Sequence, residues 1–98
     1  MLVLRALDLG PMHGLGVSDR IKQITGGVFV VKPGSLFPAL QRLQQNGWID
    51  GKWGESENNR RARYYRLTAA GRAALNAEMN DWRRFVGAVD LVLVATEA

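Results

Sequence analysis

The 98-residue sequence contains no cysteine, which excludes disulfides, thiolate metal sites and cysteine nucleophiles. It contains one histidine, His13, so a histidine cluster for a metal ion is excluded as well. Long apolar runs are also missing. Residues 1–9 and 86–95 are the most hydrophobic stretches. Both fall short of the ~20 residues needed to span a bilayer, and Asp90 interrupts the second. The first also lacks the basic flank and cleavage site of a secretion signal. Only three prolines are present, with no repeat, low-complexity tract or Pro/Ser-rich linker. A chain of this length makes one domain, expected in the cytoplasm. Its 47% hydrophobic and 22% charged residues are those of a folded protein rather than a disordered one.

What is present is an excess of positive charge, thirteen Lys+Arg against nine Asp+Glu. The distribution says more than the total. Arg60, Arg61, Arg63, Arg66 and Arg72 fall within thirteen residues that contain no acid, whereas residues 78–98 hold four acids and two arginines. A cationic cluster of this kind fits a polyanion. His13 lies in the turn Gly10-Pro11-Met12-His13-Gly14 with no nucleophile or carboxylate partner implied, so it reads as a structural hydrogen-bonding group. Neither enzymatic activity nor a cofactor or metal is expected.

Glycine and proline divide the chain into short elements. Residues 2–9 suit a buried helix ended by Gly10-Pro11. Ser18 and Asp19 lie near the start of a second helix, with Val17, Ile21 and Ile24 at helical spacing and Gly26-Gly27 as the stop. In a third helix Ser35 is the expected N-cap and Pro38 falls in the first turn. Leu36, Leu40 and Leu43 form its dry face, and Asn46-Gly47 end it. Pro38, Gln41, Arg42 and Gln45 then point the opposite way. Two aromatic-rich runs, 48–53 and 61–67, flank a polar loop and predict a β-hairpin, with Trp48 and Trp53 closing the core. Thr68 caps a last helix reaching about Ala95. Along it Leu75, Met79, Trp82, Val86, Val89 and Leu93 recur with the a/d spacing of a coiled-coil seam.

This order predicts a mainly α fold with a small β-hairpin: a winged helix-turn-helix over residues 1–67 and a long C-terminal dimerisation helix over 68–98. In such a fold the third helix enters the major groove of double-stranded DNA and the hairpin follows the backbone. Gln41, Arg42 and Gln45 suit base edges or phosphates. Lys32 and Ser35 stand at the helix N-terminus, where backbone N–H groups favour a phosphate, and Pro38 shares the DNA-facing side with Gln41, Arg42 and Gln45. Arg60, Arg61 and Arg63 suit the phosphate backbone, and Asn58 and Asn59 can reach a phosphate or the minor groove. The seam is only about two and a half heptads long, marginal for an isolated coil. Leu4 and Leu7 of the first helix are therefore expected to join Leu75, Met79, Trp82, Val86, Val89 and Leu93 in a homodimer interface. Trp82 packs poorly at such a position and is the candidate for stacking a planar aromatic effector. An alternative use of the same fold is protein–protein contact, against which the acid-free arginine run weighs.

Several motifs in order carry a resemblance. They are Gly10-Pro11-Met12-His13-Gly14, Pro33-Gly34-Ser35-Leu36-Phe37-Pro38-Ala39-Leu40, and Leu43 with Gly47-Trp48-Ile49. The stretch from Trp53 to Ala62 follows, then Tyr65-Arg66-Leu67-Thr68-Ala69-Ala70-Gly71. Over residues 2–75 the chain resembles the PadR family of bacterial transcriptional regulators, in its short subgroup with a single C-terminal helix. The resemblance implies a homodimeric repressor of a palindromic operator. In some short members a planar aromatic compound stacks on a tryptophan of the last helix, the place of Trp82 here. The chain departs from the family at Phe37, where tyrosine is common, and at Leu15, where tyrosine is frequent. Phe37 has no hydroxyl with which to meet a phosphate.

Overall fold

A computed structural model gives the architecture for residues 1–55 and 61–96, with backbone alone at Glu55 and Arg61. The elements are α1 (Leu2–Asp8), β1 (Met12–His13), α2 (Gly14–Ile24), α3 (Pro33–Gln45), β2 (Ile49–Glu55), β3 (Arg61–Leu67) and α4 (Ala69–Leu93). The sheet has the order β1-β3-β2 and is antiparallel throughout. The hairpin and the helix order are as the sequence predicts. β1 is an addition, since two residues are too few to show alternation.

The core forms where the short helices meet the inner face of the sheet. Leu4, Ala6 and Leu7 of α1, Val17 and Ile21 of α2, Leu36 and Leu40 of α3, Ile49, Tyr65 and Leu75 are buried there. Burying a leucine-sized side chain is worth about 1.5–3 kcal/mol each. Leu4, Leu7 and Leu75 are therefore interior groups of the protomer, and they do not present the interface surface that the sequence reading expected of them. Met79 is half-buried against the same core. Trp48 packs on the core as expected, but Trp53 does not close it: the residue is 60% exposed. It lies where the hairpin has already run past the helices.

Local chemistry sets the helix boundaries. The α2 cap is His13, not Ser18 or Asp19: its Nδ1 accepts from Gly16 N at 3.0 Å. This is the structural hydrogen bond expected of it. Arg20 donates to the carbonyls of Ala6 and Gly10 at 2.7 and 2.8 Å, closing the C-terminal end of α1 with a cation. α3 starts earlier than expected, because Pro33 occupies the first helical position where its missing N–H costs nothing. Lys32 is thus the cap position, Ser35 lies inside the first turn, and Pro38 in the second. Gly47, at φ +75°, reverses the chain into β2. Thr68 caps α4, accepting from Gly71 N at 3.0 Å and donating to Gly47 O at 2.7 Å. One threonine therefore fixes both the start of α4 and the turn after α3.

Candidate nucleic-acid interface

α3 divides cleanly. Leu36 and Leu40 are buried, while Lys32, Ser35, Pro38, Gln41, Arg42 and Gln45 are all exposed. The six candidates thus share the outer side of one helix and its leading end, which the core holds from behind. Pro38 lacks the N–H that a helix would otherwise direct at the carbonyl of Gly34. Phe37 is partly exposed, with its ring edge against Gly14 at the start of α2. The helix is approached by an apolar, exposed segment, Val28–Phe29–Val30. Thr25 Oγ1 accepts from Phe29 N at 3.1 Å, and Ser18 Oγ donates to the carbonyl of Val31. Sequence reasoning passed over this segment, since three apolar residues after Gly26-Gly27 carry no periodicity to place them.

The hairpin stands beside α3. Of its candidates, Asn58, Asn59 and Arg60 lie outside the described residues, as does the side chain of Arg61. Two arginines counted in the acid-free run have acids as neighbours in space. Arg66 pairs across the strands with Asp50 at 3.1 Å, and Arg72 reaches Asp8 at 3.2 Å. Both pairs are exposed at the arginine and contribute at most about 1 kcal/mol each, but they draw two charges away from the wing. Arg63 is different again. It is half-buried on the inner face of β3, opposite Trp53 and over Gly51. Its guanidinium carbon is 5.9 Å from the centroid of the Tyr65 ring, and its Nε is enclosed with no hydrogen-bond partner among the described residues.

The second surface is the distal half of α4. Trp82, Phe85, Val89 and Leu93 are 52%, 60%, 38% and 74% exposed, and Val86 is half-buried. The rings of Trp82 and Phe85 stand 5.9 Å apart at 31°. Phe85 and Val92 lie to one side of the expected a/d seam. At about 100° per residue the apolar stripe is therefore roughly 140° wide, broader than a two-stranded coil uses. The helix carries this stripe away from the core. The molecule measures 64 × 28 × 22 Å, with a radius of gyration of 16.3 Å, against roughly 13 Å for a compact chain of this size. Among the described residues no helix is long and apolar enough to cross a membrane, and no group of three or more His, Asp or Glu could hold a metal ion.

Three helices, a third helix with one dry and one polar face, and a β-hairpin at its side define a winged helix-turn-helix, the architecture of a DNA-binding protein. The model of the PadR-like family of transcriptional regulators matches residues 3–77. The chain belongs to that family, which consists of transcriptional regulators and not of enzymes. It is a DNA-binding regulator; a use of the fold for protein contact alone finds no support in the match. A transcriptional regulator from Clostridium thermocellum is 28% identical, with a TM-score of 0.82 over 91% of this chain and 86% of that one. A PadR family regulator from Clostridium difficile, 22% identical, shares the fold at a TM-score of 0.82 over 94% of both chains. A 37.1 kDa protein in a transposon of Streptomyces fradiae is 38% identical over 89 residues, 91% of this chain but 24% of that protein. The chain spans about a quarter of that relative.

Proposed function

We propose that the protein is a homodimeric repressor that binds a palindromic operator in the cytoplasm and is released by a planar aromatic compound. Residues 1–67 read the DNA and residues 68–98 join two copies. Gln41, Arg42 and Gln45 contact base edges, Lys32 and Ser35 hold a phosphate at the head of α3, Pro38 packs against the DNA on the same open face, and Asn58, Asn59, Arg60 and Arg61 follow the backbone. The single observation that carries this reading is the exposure of all six α3 candidates on one side of a helix whose other side is buried.

Dimerisation is supported by the uncovered stripe of α4. Trp82, Val86, Val89 and Leu93 form its centre, with Phe85 on the flank. The width of the stripe favours cover by more than one element of the partner, and Leu2, Leu9 and Ile24, exposed beside α1 and α2, are the complementary surface. Two copies so joined place two α3 helices roughly 34 Å apart, one turn of DNA. Trp82 and Phe85 offer the flat aromatic wall on which an effector stacks. Its binding changes the angle between the two wings and so lowers operator affinity.

Gel shifts on the gene's own upstream region test the reading. Arg61→Ala is expected to weaken binding to all sequences alike and to reduce the salt dependence, whereas Gln41→Ala and Arg42→Ala change sequence preference. Equal, sequence-independent losses from both sets would contradict it. Quenching of Trp fluorescence by planar aromatics should vanish in Trp82→Ala; an unchanged response would remove the effector site from Trp82.

A further inference from the structure

The inner face of the hairpin carries Ile49, Gly51 and Trp53 on β2, and Leu67, Tyr65 and Arg63 directly opposite on β3. Ile49 and Tyr65 are buried and Leu67 packs on the core, so the hairpin is anchored at its base. One step further out the core ends. A two-stranded ribbon extending past its support is marginally stable and free to bend. At that step a glycine leaves a slot, and Arg63 fills it. A Cβ at residue 51 would collide with Arg63 Nε and stand 2.9–3.0 Å from its Nη2 and Cζ. The guanidinium also lies near the Tyr65 ring face, and Nε is shut away from solvent.

The outer face repeats the arrangement. Tyr64 lies over Gly54, where a Cβ would come within 2.9 Å of its Cδ2, and its ring meets His13 edge-on at 5.8 Å. Each side of the ribbon is thus braced by a long side chain of β3 lying in a space that a glycine of β2 leaves open. An arginine meant for phosphate keeps its fork in solvent, ready to form parallel hydrogen bonds. Arg63 has folded its stem and Nε into the protein instead.

We infer that Arg63 is a positioning residue of the wing: packed between Gly51 and Tyr65, it sets the angle at which the hairpin meets DNA and makes no phosphate contact of its own. The inference rests on the reading of the hairpin as a DNA-contacting wing. It replaces the sequence-based expectation that Arg63 grips the backbone.

Salt-dependent operator binding separates the two roles. A phosphate contact carries charge into the complex, and its loss lowers the slope of log K against log salt by about one for each protomer bound. The variants are Arg63→Met, which fills the slot without charge, Arg63→Ala, which empties it, and Gly51→Ala, which keeps the charge but occupies the slot. If Arg63 positions the wing, Arg63→Met binds several-fold more tightly than Arg63→Ala, and both keep the wild-type slope. Gly51→Ala weakens binding several-fold with the arginine intact. Equal losses in the two Arg63 variants with slopes lowered by about one per protomer overturn the inference, as does wild-type affinity in Gly51→Ala. The free protein supplies a readout that needs no DNA. The enclosed Nε–H of Arg63 should exchange slowly with water in 15N spectra, and this protection should be lost in Gly51→Ala. Slow exchange with no operator binding by the wild type would count against the DNA reading alone; fast exchange in the wild type would refute the packing of Arg63.

Discussion

The winged helix and the distal half of α4 use similar apolar residues to opposite ends. In the first, Leu4, Leu7, Leu36, Leu40 and Ile49 are shut inside one protomer. In the second, Trp82, Phe85, Leu93 and their neighbours stand in solvent on a helix that has left the core. The same side-chain chemistry stabilises a fold when it meets its own chain, and in the proposed dimer it serves association where it does not. The boundary between the regimes falls within two helical turns, between buried Leu75, half-buried Met79 and exposed Trp82.

The contrast can be broken from either side. The largest effect is expected from Leu40→Ala, which empties a site sealed under α3. It should cost about 3 kcal/mol in denaturant unfolding, and operator binding should fall with it. Phe85→Asp is expected to act on association instead. Sedimentation should show monomers at micromolar concentration, while the circular dichroism of the winged helix persists; loss of the whole fold would make the two regions one unit. The smallest change is expected from Arg66→Ala. Its ion pair with Asp50 is exposed, at 61% and 57% for the two side chains, so stability should move by less than about 1 kcal/mol.

Most of the fold was legible in the sequence because each element carries its own punctuation. Leu36, Leu40 and Leu43 mark the inner face of α3, and Thr68 with Gly71 marks the start of α4. The polar side of α3 follows from the same periodicity, which places Gln41, Arg42 and Gln45 opposite the leucines. What escaped depends on contacts distant in sequence. The run from Arg60 to Arg72 contains no acid, yet Arg66 and Arg72 meet Asp50 and Asp8, which antiparallel pairing and helix packing bring from elsewhere. Arg63 looks like its neighbours in one dimension, and only the strand register shows it crossing Gly51. Leu4 and Leu75 carry the pattern of an interface helix as well as that of a core helix, because both follow the helical repeat. Which partner a stripe meets is decided by where the chain runs out of its own surface.

The most direct test is the mass of the complex formed with the operator, measured by native mass spectrometry. Two chains on each palindromic duplex are expected for the wild type, and loss of that species in Phe85→Asp. One chain per duplex, or an unchanged two-chain complex in Phe85→Asp, would contradict the division between a DNA-reading unit and an association helix.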